Sequence, residues 1–546
     1  MKLKDNEDFK LTFFDFKNKK EKHNSKNKNM KNKLFALLTL ITTTLSFGQI
    51  TEPQVDALVN KTLTAFNVPG IAVAIIKDGQ VVLAKGYGVK SIDTKEKVDT
   101  NTLFGIASNS KAFTSASLAI LVDEGKIKWD DKVIKYLPNF KMYNDYVTQE
   151  FTIRDLLTHR SGLGLGAGDL MIWPDGSNFT VTDIVQNLQY LKPVSGFRTK
   201  YDYDNLLYIV AGEVIHLVSG KSWCDFVEER IMEPLEMNHS VASFVRLKDT
   251  TNIIAPHVPI NGKLKMIKRY QNQLFDAAAG IYSSVNDLSK WAIMQMNNGK
   301  YGPENKQLFS EKEHDEMWQL QTIIPTKTSA PYNTHFNGYG LGWFLSDVKG
   351  YKQVTHTGGL EGIVTQTTYI PELQLGIIVL TNQQSGAAFN AITNTIKDSY
   401  LDIASEDYVT IYRNRIKANE ESADKVTGEV WATVAKNKKD KVKIDLASVT
   451  GTYQDKWFGD VVISEKKGKL FFESKRSSQL SGEVFFYEKE NYVVKWNNAY
   501  LHADAHLFFT FDENGKAITL KMNPISALTD FSYDFQDLDF IRIEKK

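Results

Sequence analysis

Apolar, strand-like segments lie on both sides of a long central region, and this arrangement constrains the fold most strongly. Residues 70–76 alternate small and large apolar side chains, and an Asp-Gly turn leads into a second such segment at 80–84, which predicts a hairpin. Two further apolar runs, 363–370 and 375–380, are separated by a Pro-containing turn and are also predicted to be strands. Between them, residues 106–300 are mostly helical or irregular in pattern. The sequence therefore predicts an α+β domain with one antiparallel sheet that both ends of the domain build.

The residue pattern changes twice beyond this domain. Residues 405–441 are highly charged and poor in apolar side chains, which predicts a helical linker. Residues 442–546 contain short alternating segments separated by turns, which predicts a small all-β barrel or sandwich. Its many aromatic residues are expected to fill a core rather than to bind a ligand. The first domain is accordingly placed at 50–404, and the barrel could either cap a cleft in it or drive oligomerisation.

A Ser-x-x-Lys sequence, Ser108 to Lys111, stands at the predicted start of a helix. The same spacing occurs five times in the chain, so the setting distinguishes this copy. An apolar-periodic run follows Ser108 and ends at Gly125, which is typical of a helix closed by a glycine. A helix N-terminus favours an anion beside Ser108, and Lys111 can take the serine proton if burial lowers its pKa. In isolation, an N-capping serine followed by a solvated lysine would be the better explanation of the motif.

A second motif, Tyr203-Asp204-Asn205, lies in a polar turn before an apolar run. Tyr203 and Asn205 are two residues apart, so both side chains can point the same way from an extended turn. A tyrosine or tyrosinate can relay the serine proton, and an asparagine amide can hold a substrate carbonyl. Alone, the segment would be an aromatic-rich turn before a buried helix.

A third motif, His356-Thr357-Gly358-Gly359, precedes the strand predicted at 363–370. Its glycines would let a substrate pass close to the backbone. Such a sequence is more often an ordinary turn. The three motifs together, however, supply a nucleophile with its base, a proton relay with a binding amide, and an oxyanion-side strand, which indicates an acyl-transfer site.

Together, the motifs resemble those of the penicillin-recognising serine hydrolases: class C β-lactamases, low-molecular-weight D-Ala-D-Ala peptidases and related esterases. The Tyr-x-Asn form of the second motif resembles the class C branch, as do the segments 156–163, 234–237 and 278–288. The resemblance covers about residues 50–400, and Gly451-Thr452-Tyr453 resembles the start of lipocalin-like barrels appended to some members. It implies a β-lactamase/transpeptidase-like antiparallel sheet flanked by helices, with a helical subdomain, followed by a lipocalin-like β-barrel.

The resemblance also implies a role for each motif residue. Ser108 would be the nucleophile and Lys111 its general base. Tyr203 would pass the proton to the leaving group and help to activate water, while Asn205 would bind the substrate carbonyl. Backbone N–H groups of Ser108 and Gly359 would form an oxyanion hole, in which each donor is typically worth about 3–4 kcal/mol. The implied substrate-binding strand consists of His356, Thr357, Gly358 and Gly359.

One position departs from the family pattern, because His356 replaces the usual lysine of Lys-Thr-Gly. That lysine anchors the carboxylate of a penicillin or of a D-Ala terminus, whereas histidine is largely neutral at pH 7. The departure argues against efficient β-lactam hydrolysis and fits esterase or peptidase relatives. We therefore predict a serine hydrolase that acts through a Ser108 acyl-enzyme on D-residue-containing peptides or small esters, with weak β-lactam hydrolysis at most. The alternative is a non-catalytic sensor or cell-wall-binding protein that kept the cleft.

The N-terminal residues predict export. Residues 1–33 hold eleven lysines and five acids, whereas the whole chain has a formal net charge of only +1, so nothing indicates a nucleic-acid partner. A short apolar run follows this basic stretch, and residues 30–48 are therefore expected to be a signal peptide, with 1–29 as a basic upstream segment that is untranslated if Met30 is the true start. A membrane anchor is the alternative, although the apolar run is short for a span. We expect a periplasmic or extracellular protein with no stable membrane anchor after cleavage.

No cofactor or metal is expected. None of the ten histidines belongs to a His-Glu-x-x-His sequence, and the single cysteine cannot form the paired spacing of a zinc site. The single cysteine, Cys224, is expected to be a core or interface residue, and His159 is expected to be structural. The expected partners are a small-molecule or peptide substrate and, as an open question, further copies of the chain.

Overall fold

The computed structural model describes residues 49–404 and 406–544. The expected basic segment and signal peptide therefore lie outside the described residues. The α-helices of the described part are α1 (Glu52–Ala65), α2 (Ser110–Asp123), α3 (Asp145–Glu150), α4 (Ile153–Leu156), α5 (Val181–Asn187), α6 (Leu206–Ser219), α7 (Trp223–Val227), α8 (Asp276–Ala279), α9 (Val285–Met296), α10 (Glu311–Met317), α11 (Gly386–Tyr400), α12 (Tyr408–Lys439) and α13 (Leu446–Val449).

The strands fall into two large groups and three small pairs. Those of the N-terminal part are β1 (Gly70–Lys77), β2 (Gln80–Gly88), β3 (Phe104–Gly105), β4 (His257–Ile260), β5 (Lys263–Met266), β6 (Tyr282–Ser283), β7 (Lys300–Tyr301), β8 (Lys306–Gln307), β9 (Thr322–Ile323), β10 (Asn337–Tyr339), β11 (Phe344–Val348), β12 (Tyr351–Leu360), β13 (Ile363–Ile370) and β14 (Leu375–Thr381). Those of the C-terminal part are β15 (Gly451–Asp455), β16 (Gly459–Lys466), β17 (Lys469–Ser474), β18 (Ser481–Glu488), β19 (Asn491–Trp496), β20 (Ala505–Phe511), β21 (Ala517–Pro524) and β22 (Phe540–Ile543).

The main sheet joins the two ends of the first domain, as predicted. Its eight strands have the order β2-β1-β14-β13-β12-β11-β10-β9, and β1 pairs antiparallel with β14 so that Ala74 lies opposite Ile378. Helices cover both faces of β1: one face packs on α1 and α11 through Val59 and Ile392, and the other packs into the larger core that contains Trp291 of α9. Because both faces are covered, β1 is apolar throughout rather than alternating with polar residues.

Helix α2 runs through the centre of the helical region, where Ser110 to Leu121 are buried. Phe113 stacks on Trp291 with ring centroids 3.9 Å apart, and burying one such side chain stabilises a fold by about 1.5–3 kcal/mol. The chain leaves the helix at Gly125, which has φ +68°, a conformation that favours glycine. The predicted helix and its glycine end are confirmed.

The C-terminal part is a closed barrel of eight antiparallel strands, β15 to β22. Aromatic side chains fill it, with Phe509 between Tyr453 and Tyr492, as expected for a core. The long helix α12 connects it to the first domain. Val430 and Val434, near the end of this helix, pack on the barrel. In the described part of the chain, no helix is long and apolar enough to span a bilayer.

The barrel also docks directly on the helical region. Both carboxylate oxygens of Asp534 accept hydrogen bonds from backbone N–H groups, of Gly168 at 2.6 Å and of Leu170 at 3.0 Å. Arg476 forms an ion pair with Asp183 at 2.9 Å. The chain from Gln49 onward accordingly forms one compact unit, in which the barrel has a fixed place beside the first domain.

Candidate active site

Ser108 lies in a tight turn at the entry to α2. The turn is a short 3₁₀ segment, Ala107–Asn109, and Ala107 has φ +49°, a sparsely populated conformation for a residue with a side chain. Strand β13 fixes the turn, because Thr365 Oγ1 donates to the Ile106 carbonyl at 3.0 Å and accepts from Asn109 Nδ2 at 2.9 Å. The turn therefore holds Ser108 in one place between the helical region and the sheet.

Lys111 stands beside the serine, as predicted from their spacing. Its Nζ atom is 3.1 Å from Ser108 Oγ, 2.7 Å from Asn205 Oδ1 and 3.2 Å from the Ala278 carbonyl oxygen. The side chain has no exposed surface. The solvated-lysine explanation of the motif is therefore wrong for this fold.

Burial changes the acid–base behaviour of this lysine. Loss of water around the ammonium lowers the pKa of Lys111 to about 7, although the nearby Asp169 and Asp204 act in the opposite direction. Burial also raises the pKa of Asp204 to about 7, so these carboxyls offset the lysine charge only in part. A substantial fraction of neutral amine at pH 7 gives Ser108 a base within hydrogen-bonding distance.

Tyr203 and Asn205 converge on the same place. The Tyr203 hydroxyl interacts with Ser108, and burial holds the pKa of Tyr203 well above its usual range. The structure therefore favours the neutral phenol over the tyrosinate. Asn205 Nδ2 donates to Asp169 Oδ2 at 2.8 Å, which leaves its second N–H for a substrate carbonyl.

His356 lies on β12 and is 1% exposed. Its Nδ1 is 2.6 Å from the Thr357 carbonyl oxygen, and its Nε2 is 2.8 Å from the Tyr339 hydroxyl. Because a carbonyl oxygen only accepts, Nδ1 carries the hydrogen and Nε2 accepts from Tyr339. Burial first, and then the nearby Lys111, lowers the pKa of His356 to about 3. The ring is therefore neutral at pH 7 and brings no positive charge to the site.

The two glycines after Thr357 have different surroundings. A Cβ atom at Gly358 would lie 2.1 Å from the Ile106 carbonyl oxygen, so only glycine lets β12 pack this closely against the serine turn. A Cβ at Gly359 would meet nothing within 4 Å, because this residue faces a cavity of about 750 Å³ that Ser108 and Thr357 also line. The predicted motif residues therefore surround one cleft.

A segment of the barrel closes one side of this cleft. Phe531 and Ser532 line the cavity; the Phe531 ring packs edge-on against Tyr203, with centroids 5.8 Å apart. Ser532 Oγ donates to Asp169 Oδ2 at 2.9 Å. Hydrogen bonds thus run from Lys111 through Asn205 and Asp169 to the barrel. Of the two alternatives for the barrel, the cleft-capping one describes this arrangement.

The sequence did not indicate several of these residues. Asp169 and Ser532 are 363 positions apart, and neither belongs to a motif. The expectation for His159 is consistent with the structure: its Nδ1 accepts from the Asp204 N–H at 3.1 Å, and its ring packs on Tyr203 at 4.3 Å. Cys224 is half-buried beside Asp276 and does not line the cavity.

Known protein families match both parts of the chain. The family model described as "Beta-lactamase" matches residues 55–401, and one described as "Domain of unknown function (DUF3471)" matches 435–542. The chain is 27% identical over 459 residues to Unguisins hydrolase ungD' of Aspergillus campestris; this alignment covers 80% of this chain and 83% of that protein. It is 26% identical over 341 residues to Protein flp of Staphylococcus aureus; this alignment covers 61% of this chain and 64% of that protein.

A solved structure supports the fold. The octameric penicillin-binding protein homologue from Pyrococcus abyssi superimposes with a TM-score of 0.58 at 22% identity, over 90% of this chain and all of that one. The β-lactamase family match spans most of the N-terminal domain, which contains the buried Ser108–Lys111 pair. The chain belongs to the β-lactamase family of serine hydrolases and shares the fold of the penicillin-binding protein homologue, and a closed eight-stranded barrel follows its hydrolase domain.

Proposed function

We propose that the protein cleaves D-residue-containing peptides or small esters through an acyl-enzyme on Ser108. The observation that carries the proposal is the 3.1 Å contact between Ser108 Oγ and the fully buried Nζ of Lys111. The neutral His356 supports esters, and peptides without a free carboxylate at this point, over β-lactams, because it offers no charge for the carboxylate of a penicillin or of a D-Ala terminus. The relative named Unguisins hydrolase also supports a hydrolytic role.

In this mechanism Lys111 takes the proton of Ser108 as Oγ attacks the substrate carbonyl carbon. The carbonyl oxygen becomes an oxyanion that accepts from the backbone N–H groups of Ser108 and Gly359. The second N–H of Asn205 donates to a carbonyl oxygen in the acyl part of the substrate. Tyr203 passes the proton to the leaving group, whose bond to carbon breaks to give the Ser108 ester. A water molecule then attacks the ester carbon, and Tyr203 and Lys111 pass its proton to Ser108 Oγ as the bond between Oγ and the acyl carbon breaks, which gives the acid product and the free serine.

A neutral fluorophosphonate probe tests the nucleophile. The wild-type protein is expected to gain the mass of one probe, and the Ser108→Ala protein none, as intact-mass spectrometry will show. Circular dichroism of both proteins controls for folding. A folded wild type without an adduct would refute the activated serine and would support the binding-protein alternative.

The labelling rate should rise with pH. Only the neutral amine of Lys111 can accept a proton, and its pKa near 7 means that this form increases as the pH rises through about 7. We expect the second-order labelling rate to climb between about pH 6 and pH 8 and then to level off. A rate that is flat or falls across this range would contradict the assignment of Lys111 as the base.

We further propose that the protein is exported through residues 30–48 and that copies of it assemble. Export is supported by the apolar run after a lysine-rich segment. Assembly is supported by the octameric state of the penicillin-binding protein homologue from Pyrococcus abyssi, whose fold this chain shares.

A further inference from the structure

One end of the active-site cavity is acidic. Glu361 and Asp530 both line it, the first from the turn after β12 and the second from the barrel. Among the described residues that line this cavity there is no lysine or arginine. The acidic groups that a ligand meets here are therefore carboxyl groups with no lysine or arginine beside them in the cavity lining.

The Glu361 carboxyl group has unused hydrogen-bonding capacity. It accepts from the backbone N–H of Asp175, but its Oε1 atom is shielded from solvent and has no hydrogen-bond partner in residues 49–404 and 406–544. Burial raises the pKa of Glu361 to about 8, and the neighbouring Asp175 and Asp530 raise it further. A buried acceptor without a partner costs free energy, and a cationic ligand would remove that cost.

Aromatic rings complete this end of the cavity. Trp173, Tyr500 and Tyr533 line it, and Trp173 stacks on Tyr270 with centroids 5.7 Å apart. Tyr533 is 3% exposed; its hydroxyl neighbours the Trp173 indole nitrogen, yet neither atom makes a hydrogen bond of normal geometry within the described chain. Aromatic faces with carboxylates are the usual surroundings of a bound organic cation.

The acidic end is close to the reacting centre. Glu361 lies two residues beyond Gly359, which lines the cavity together with Ser108. The two Cα atoms are therefore at most about 7 Å apart, which is the reach of two fully extended residues. A carboxylate side chain reaching back over this distance can contact an amino group one or two bonds from the scissile carbonyl.

We propose that Glu361 and Asp530, with the rings of Trp173, Tyr500 and Tyr533, form a subsite for a primary ammonium group of the acyl part of the substrate. This inference rests on the proposed function and deepens it. The preferred substrates are then aminoacyl amides or esters with a free amino terminus. A cationic group favours ionisation of these buried carboxyl groups, whereas a substrate with a free carboxylate at this end would oppose it.

Calorimetry on the full-length Ser108→Ala protein tests the subsite without turnover. Alaninamide, in both enantiomers, supplies the ammonium, and N-acetylalaninamide is its neutral counterpart. We expect at least one enantiomer of the amine to bind about tenfold more tightly than its acetylated form at pH 7, a difference typical of one charged contact. Equal affinities, no binding, or selective binding of Ca²⁺ in place of the amine would overturn the inference.

Variants locate the contact. In the Ser108→Ala background, Glu361→Gln and Asp530→Asn should each remove most of the preference for the amine. Glu513→Gln changes the same kind of residue at an exposed position of the barrel and should retain the preference. Thermal unfolding identifies any variant that fails to fold, and the two subsite variants lie in different domains, so one of them remains informative. A preference that survives both would also overturn the inference.

Failure of this inference differs from failure of the proposed function. The fluorophosphonate carries no ammonium, so its reaction with wild-type Ser108 reports the nucleophile alone. Labelling without a preference for the amine would leave the hydrolase mechanism and refute the subsite. Binding of the amine without labelling would support the subsite and refute the hydrolase mechanism.

Discussion

Replacement of Lys111 by methionine is expected to reduce the rate of Ser108 acylation by about 10³-fold, a loss typical of removing a general base. Methionine has a similar length and suits a buried position, but it cannot accept the serine proton. The Asn205 and Ala278 oxygens that Lys111 contacts also lose their partner, so some loss of stability accompanies the change. Fluorophosphonate labelling kinetics and urea unfolding measure the two effects separately.

Lys397→Met is the matched control. Lys397 is also buried, at 4% exposure, and burial also lowers its pKa, to about 8. It lies on α11, where its Nζ donates to Gln353 Oε1 at 3.0 Å, and it does not line the cavity. This variant should lose stability but keep its labelling rate. Equal loss of labelling in both variants would show that burial of a lysine, rather than its place beside Ser108, explains the effect.

Gly358→Ala is expected to disrupt both the fold and the reaction. The new Cβ would lie 2.1 Å from the Ile106 carbonyl oxygen and 2.6 Å from Thr365 Oγ1, distances that force β12 away from the serine turn. Overpacking of this kind costs about 1–3 kcal/mol of unfolding free energy. A displacement near 1 Å between the oxyanion strand and the nucleophile lowers the acylation rate by about 10²-fold.

The neighbouring glycine provides the comparison for stability. A Cβ at Gly359 meets no atom within 4 Å, so Gly359→Ala should change the unfolding free energy by less than about 0.5 kcal/mol. Urea unfolding of both variants checks this difference. If Gly358→Ala were as stable as the wild type and labelled as fast, close packing of β12 on the serine turn would have no catalytic importance.

Local sequence patterns predicted the elements that carry the candidate catalytic residues. The alternation at 70–84 and the runs after His356 predicted the main sheet, and the apolar period after Ser108 predicted α2 because a buried helix repeats its core contacts every turn. The spacing of Ser108 and Lys111 at the start of that helix then predicted their contact. Short strands from residue 442 onward predicted an all-β domain, which closes into a barrel.

The environment of these residues could not be predicted in the same way. Tyr339 fixes His356 across neighbouring parts of the sheet, and Ser532 reaches Asp169 from another domain. Such contacts join residues that share no period or spacing, so single-sequence patterns carry no signal for them. The acidic end of the cavity could not be predicted either, because Glu361 and Asp530 come together only when the barrel docks.

The docking of the barrel has a consequence for how the substrate specificity of such enzymes can evolve. Ser108 and Lys111 are held by the hydrolase domain itself, whereas Phe531 forms the opposite wall from a domain with its own core. Mutations in the segment around Phe531 can therefore reshape the wall without moving the nucleophile or its base. Exchange of the appended domain between relatives would supply a new wall to an unchanged catalytic centre, and an early step towards a new substrate need not occur in the catalytic domain.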